Sequence, residues 1–267
     1  MKKQFLALLA ALTVLTSCGI VSGTGLDAAS LANAAGTAMT ALSITDDQIA
    51  ELSAQSVAYM DSVNKVEKGA YDARLRKLMG SVKSINGVPI NLKVYKTDEV
   101  NAFACGDGSI RVYSGLMDVM DDAELMAVIG HEIGHVVNKD TKTAMKKTYM
   151  AYAARMALGA TGTLIGNLST SVLGDIAQSY LNAQYSQKQE FAADEAGFAF
   201  SIQQGYSPYS MYNSLVKLMQ LSSGNSGSRS AGVQQAFSSH PATQERAARM
   251  KTAAENYLQQ QNQPQQK

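Results

Sequence analysis

The chain has 267 residues, 46% hydrophobic and 17% charged, which suits one good core with appendages rather than two large domains. Its formal charge is +1, and without Lys2 and Lys3 the balance becomes 21 basic against 22 acidic residues. With no basic run and no Trp, the composition excludes a nucleic-acid partner, a base-stacking platform and polybasic attraction to a membrane.

The first segment reads as a leader. Met1-Lys2-Lys3 is basic, Phe5 to Val14 is apolar, and Leu15-Thr16-Ser17-Cys18 has the form of a lipobox. The apolar run is too short to span a bilayer. The expectation is a signal peptide over 1–17, a lipid on Cys18 and anchorage to the cell envelope. Residues 18–44, rich in Ala, Gly, Ser and Thr, suit a tether. Cys105 is then the only other thiol, expected free or packed.

A catalytic domain is expected over 45–258. Thr45-Asp46-Asp47-Gln48 is a capping-box pattern, and Ile49, Leu52, Tyr59 and Val63 follow near helical spacing. A second helical stretch passes through Leu75 and Leu78 to Asn86-Gly87, a turn signal. Ile90, Leu92 and Val94 then alternate with Asn91 and Lys93 as a half-buried strand does. Two short strands, Val100 to Ala104 and Ile110 to Ser114, flank a glycine-bearing turn, giving a small sheet, antiparallel in part.

Asp121 with Glu124 three residues on opens a helix carried inward by Leu125, Val128, Ile129 and Ile133. Met156 to Leu173 is uncharged but diluted by Asn, Ser, Thr and Gly, so it reads as a helical pair of small residues rather than a membrane hairpin. Further helices are expected from Asp175 to Phe200 and from Pro208, at the first helical position, to Leu221. Ser222 to Gly232 reads as a mobile loop, and 259–267 as a Gln-rich tail that cannot pack.

His131-Glu132-Ile133-Gly134-His135 carries the chemistry. Two His four apart share one face of a helix and can bind one metal from adjacent turns. Glu132 can then take a proton from water and return it to a leaving amine. A catalytic zinc needs three protein ligands and an open position, and the third must be Glu, Asp or His240. Glu190 and Asp194 lie four apart, so Glu190 could ligate while Asp194 orients His131. Alone, such an acidic pair is commonplace on a solvated face.

These blocks, with Asn101-Ala102-Phe103-Ala104, Gly108 to Leu116, and Ser238-Ser239-His240-Pro241 plus Arg246, resemble the HtpX and CAAX-prenyl-protease family of gluzincin metallopeptidases, especially its soluble envelope branch. The resemblance covers about residues 45–255. It implies an α+β, mainly helical zincin-like domain with a small sheet and an HExxH active-site helix, binding one zinc through His131, His135 and Glu190. It gives Glu132 as base, Asp194 in support of a ligand His, and His240 facing the metal site. His240 would stabilise the tetrahedral intermediate or sit over the zinc at rest, and Arg246 would organise the site.

Asn101, Ala102, Phe103 and Ala104 resemble the family's edge strand, on which an extended substrate pairs through its main chain. The implied substrates are unfolded or misassembled envelope proteins at the periplasmic face of the outer membrane, with outer-membrane assembly machinery as a further partner. A holding chaperone that rarely cuts is the rival, and the presence of Glu132 speaks against it.

Overall fold

The computed structural model describes residues 44–157, 168–223 and 239–263. Ile44–Tyr149 and Ile165–Lys267 form one compact unit, which holds every residue of the site. The other unit, Met1–Ser43 with Met150–Leu164, has only its last helical turns, to Ala157, among the described residues. The leader, the lipobox, all of the expected Ser/Gly loop but Ser222 and Ser223, which end a helix, and all but the ends of the uncharged 156–173 stretch therefore lie outside them. Among the described residues no helix is long and apolar enough to cross a membrane.

Helix α1 (Asp46–Val63) starts on the expected capping box, in which Thr45 Oγ1 accepts from the Gln48 amide and Gln48 Oε1 accepts from the Thr45 amide. Strand β1 (Val66–Glu67) leads into α2 (Ala70–Met79). Strands β2 (Ser84–Ile85) and β3 (Val88–Pro89) form a hairpin. Its two turn residues, Asn86 and Gly87, both have positive φ, 50° and 78°, as a two-residue hairpin turn of this hand requires.

The main sheet is mixed, in the order β1-β4-β6-β5. Strand β4 (Asn91–Tyr95) runs antiparallel to β1 and parallel to β6 (Ser109–Tyr113), with Leu92 opposite Ile110 and Val94 opposite Val112. Strand β5 (Ala102–Ala104) runs antiparallel to β6 and takes the edge. It is shorter than the expected run from Val100, and β6 stops one residue early because Ser114 already begins α3 (Ser114–Val119). Because β6 is flanked on both sides, all five of its residues are buried, Arg111 included. A buried guanidinium needs partners. Arg111 donates to both Asp61 oxygens, at 2.8 and 3.0 Å, and to the Asn91 carbonyl, tying α1 to the sheet.

Helix α4 (Asp122–Val137) is capped by Asp121 and Glu124 as expected. Every residue from Glu124 to Val136 is buried, with Leu125, Ile129 and Ile133 in the same apolar cluster as Val94, Ile110 and Val112 of the sheet. Helix α5 (Asp140–Ala157) follows directly. The expected single helix from Asp175 to Phe200 is two, α6 (Thr170–Leu181) and α7 (Gln187–Gln203). Asn182 caps the first, and a Ser186/Gln189 capping box restarts the second. Those local hydrogen bonds end one helix and start the next.

Helix α8 (Ser210–Ser223) begins two residues after Pro208, which lies in a turn rather than at the first helical position. Helix α9 (Gln244–Gln261) continues through the exposed Gln259 and Gln260. Gln is a fair helix former, so a solvated last turn persists without packing.

Helices α4 and α7 meet closely enough that glycine is needed on both. A Cβ on Gly134 would stand 2.7 Å from Ala196 Cβ, and one on Gly197 2.5 Å from the Ala127 carbonyl oxygen. This approach brings the α7 carboxylates to the α4 imidazoles. Gly197→Ala should therefore destabilise the protein by about 1–3 kcal/mol through overpacking, against the gain of about 1 kcal/mol that Ala brings to an ordinary helix interior. Chemical denaturation would measure it, and a more stable variant would refute the close contact.

Candidate active site

The structure brings His131, His135, Glu190 and His240 together, with one ligand atom of each within 4.8 Å of the others. His131 and His135 project from successive turns of α4, and their Nε2 atoms are 3.1 Å apart. Glu190, on the first turns of α7, places Oε1 3.4 Å from His135 Nε2 and Oε2 3.6 Å from His131 Nε2. His240 Nδ1 stands 2.9 Å from Glu190 Oε1 and 3.3 Å from His131 Nε2.

Each helical imidazole has a carboxylate behind it. Asp194 Oδ1 lies 3.0 Å from His131 Nδ1, as expected from the sequence, and Asp140 Oδ2 lies 3.0 Å from His135 Nδ1. With Nδ1–H donated to a carboxylate, each Nε2 presents a bare lone pair to the centre. Lone pairs aimed at one another repel unless a cation lies between them. Donors around a tetrahedral ion bound at roughly 2.0–2.1 Å stand about 3.3 Å apart, close to the spacings found here. Glu190 Oε2 is buried and, although ion-paired with Arg246 Nη1 at 2.6 Å, makes no hydrogen bond of its own. The donor set therefore fits a metal ion.

Burial pushes the His131 imidazole down to about 4, against the pull of Asp194 and Glu190, so it is neutral. Burial also opposes charge on His135, but hydrogen bonds with Asp140 and Glu190 outweigh it and raise its pKa. Burial alone would raise Glu190, yet the three imidazoles hold it well below the carboxylate range. Glu132, beside the cluster, is pushed up to about 7 mainly by burial, with His240 and the Ala104 amide restraining the rise. That is a carboxyl able to gain and lose a proton near neutrality. Its Oε1 is 3.9 Å from His240 Nε2.

Arg246, 3% exposed, turns its whole fork inward. Nε and Nη2 donate to the two oxygens of Asp194 at 2.8 and 2.6 Å, and Nη1 donates to the Pro241 carbonyl at 2.8 Å while lying 2.6 Å from Glu190 Oε2. Its nitrogens are thus committed to carboxylates and main chain. The resemblance implies that Arg246 organises the site, and this geometry leaves it no free donor for an oxyanion.

Five residues around the site escaped the sequence reading. Asp140 could have been found, since it follows His135 by five residues and a ligand His wants a carboxylate on its far nitrogen. Lys139 takes the left-handed conformation, φ 61°, at the junction of α4 and α5. Gln189, of the α7 capping box, donates to Asp140 Oδ1 at 2.7 Å. The Tyr185 ring stacks on His135 at 4.0 Å between centroids, and Tyr180 donates its hydroxyl to the Ala104 carbonyl at 2.5 Å. Neither tyrosine has a spacing signal. Asp140→Ala should weaken metal binding about 10–100-fold, measured by competition with a chromogenic chelator; an unchanged affinity would remove Asp140 from the site.

The sequence pattern of Peptidase family M48 matches residues 69–254, which contain the whole cluster. The chain belongs to this family. Over 248 residues it is 38% identical both to Metalloprotease LoiP and to Metalloprotease YcaL of Escherichia coli (strain K12), covering 92% of this chain and 94% of each relative. A Protease HtpX homolog of Salinibacter ruber is 30% identical over 59% of this chain and 65% of its own length. This member of the M48 family is a metalloendopeptidase, mainly helical with a small sheet, and its His/Glu cluster is consistent with a zincin-like metal site. Beneath the edge strand Cys105 is free and fully buried, and burial pushes its thiol pKa well above the ordinary value, so it is poorly reactive.

Proposed function

We propose that the protein is a zinc endopeptidase acting on unfolded or misassembled proteins of the cell envelope, held at a membrane by a lipid on Cys18. The observation that carries the catalytic half is the convergence of His131, His135, Glu190 and His240 within 4.8 Å, with Glu132 beside it. His131, His135 and Glu190 would hold the ion and His240 would close the cage at rest. Zinc suits two imidazoles and a carboxylate and, when bound, supplies Lewis acidity toward water and the substrate carbonyl.

Glu132 takes the proton of the attacking water and returns it to the leaving amine, for which its raised pKa prepares it. His240 would leave the cage and donate to the developing oxyanion. Arg246 and Asp194 keep His131 and Glu190 in place. The edge strand β5, with Asn101 preceding it, receives an extended substrate by main-chain pairing, which reads little sequence and so suits unfolded chains.

The envelope half rests on the basic and apolar leader before Cys18 and on likeness to the family's envelope branch. Outer-membrane assembly machinery is the proposed partner, on likeness alone. A holding chaperone with latent activity is the second reading, favoured by the closeness of His240 to the other donors. Metal quantification on protein lacking residues 1–18, followed by cleavage of an unfolded protein before chelation, after it, and after return of zinc, tests the first half. One zinc per chain and activity that follows the metal are expected; tight zinc with no cutting would favour the chaperone. Radioactive fatty-acid labelling lost in Cys18→Ser tests the anchor.

A further inference from the structure

The open edge of β5 is shorter than the strand. In an antiparallel ladder successive residues point their amide and carbonyl to opposite neighbours. Asn101 accepts from the Tyr113 amide at 3.0 Å, the Cys105 amide donates to Ser109 at 2.7 Å, and Phe103 stands opposite Arg111. Those three residues therefore face β6, and Ala102 and Ala104 face the open side.

These two alanines are not equivalent. The Ala104 carbonyl accepts the Tyr180 hydroxyl at 2.5 Å. Among the described residues neither main-chain group of Ala102 has a partner on the open side. A substrate can pair with Ala102 without displacing anything. To pair with Ala104 it would have to displace Tyr180.

We propose that Tyr180 is a positioning residue that ends the pairing edge of β5 at Ala102, so that only one side of the scissile bond is held by main-chain hydrogen bonds. This rests on the reading of β5 as the substrate strand. Tyr180 is 4% exposed on α6, with the Tyr185 hydroxyl 3.4 Å from its own. Burial raises its phenol pKa well above the ordinary value, which keeps it a donor. The consequence is register. A bound strand can slip only by two residues if its side chains are to keep their faces, and such a slip needs Ala104. Blocking Ala104 fixes which peptide bond meets Glu132.

The test uses the full chain and an unfolded protein substrate, with cut sites mapped by mass spectrometry. A peptide spanning the strongest cut is then remade with one backbone amide N-methylated at a time. For the wild type, losses in kcat/KM of tenfold or more should be confined to one side of the cut. Tyr180→Phe should add cuts displaced by two residues and extend the sensitive amides across the bond. Wild-type sensitivity on both sides, or an unchanged cut map in a folded Tyr180→Phe, would overturn the assignment. Should that variant fail to fold, the N-methyl series on the wild type decides alone. No cutting by the wild type would overturn the protease reading, and this inference with it.

Discussion

Glu132→Gln is expected to lower kcat/KM for an unfolded protein by about 10²–10⁴-fold while the protein keeps its metal. Gln fills the same space and accepts hydrogen bonds but cannot take a proton from water. The metal donors, His131, His135, Glu190 and His240, are untouched, so metal content should match the wild type. The same substitution should leave thermal stability unchanged or higher. Burial raises the Glu132 carboxyl to about 7, so its stabilising protonated form is lost as pH rises through that value, and the neutral amide removes the cost. Cleavage rates, metal content and a melting curve at pH 8 together make the measurement. A variant that still cuts at a tenth of the wild-type rate would rule out Glu132 as the base.

Arg246→Met should be the most destabilising single change at the site. It leaves Asp194 and Glu190, 0% and 2% exposed, without the guanidinium that pairs with both. It also strips the Pro241 carbonyl of its donor. Removing one partner of a buried ion pair costs about 3–5 kcal/mol, which for a domain of this size corresponds to a fall of roughly 6–20 °C in Tm. Arg246→Lys should recover part of the loss, since an ammonium restores charge but not the fork that grips both Asp194 oxygens. Calorimetry of the three proteins would show it. Equal midpoints for Met and wild type would mean that the carboxylates find other partners.

The same residue shows what kind of knowledge each level provides. In the sequence Arg246 is one basic residue near His240, and only the resemblance gives it a role in organising the site. Only the packing of α9 against α7 commits its nitrogens to Asp194, Glu190 and Pro241. Asp140 stands between the two cases. Its distance from His135 in the chain could have suggested a role, but the sequence reading missed it, and with the left-handed turn at Lys139 it meets the imidazole.

The sequence by itself determined the parts whose physics is local. A four-residue spacing puts His131 and His135 on one helix face whatever surrounds them, and capping boxes at Thr45 and Asp121 set helix starts through hydrogen bonds within one turn. At Asn182 to Ser186 local caps divide the stretch expected to be helical into two helices. Tertiary structure decided everything that depends on residues far apart in the chain. It placed β6 between β4 and β5, leaving β5 at the edge. It brought Tyr180 to the Ala104 carbonyl across 76 positions and His240 to His131 across 109. Such contacts leave no spacing pattern, because they are selected by shape and by the need to pair every buried polar group, and those conditions exist only once the chain has closed around them.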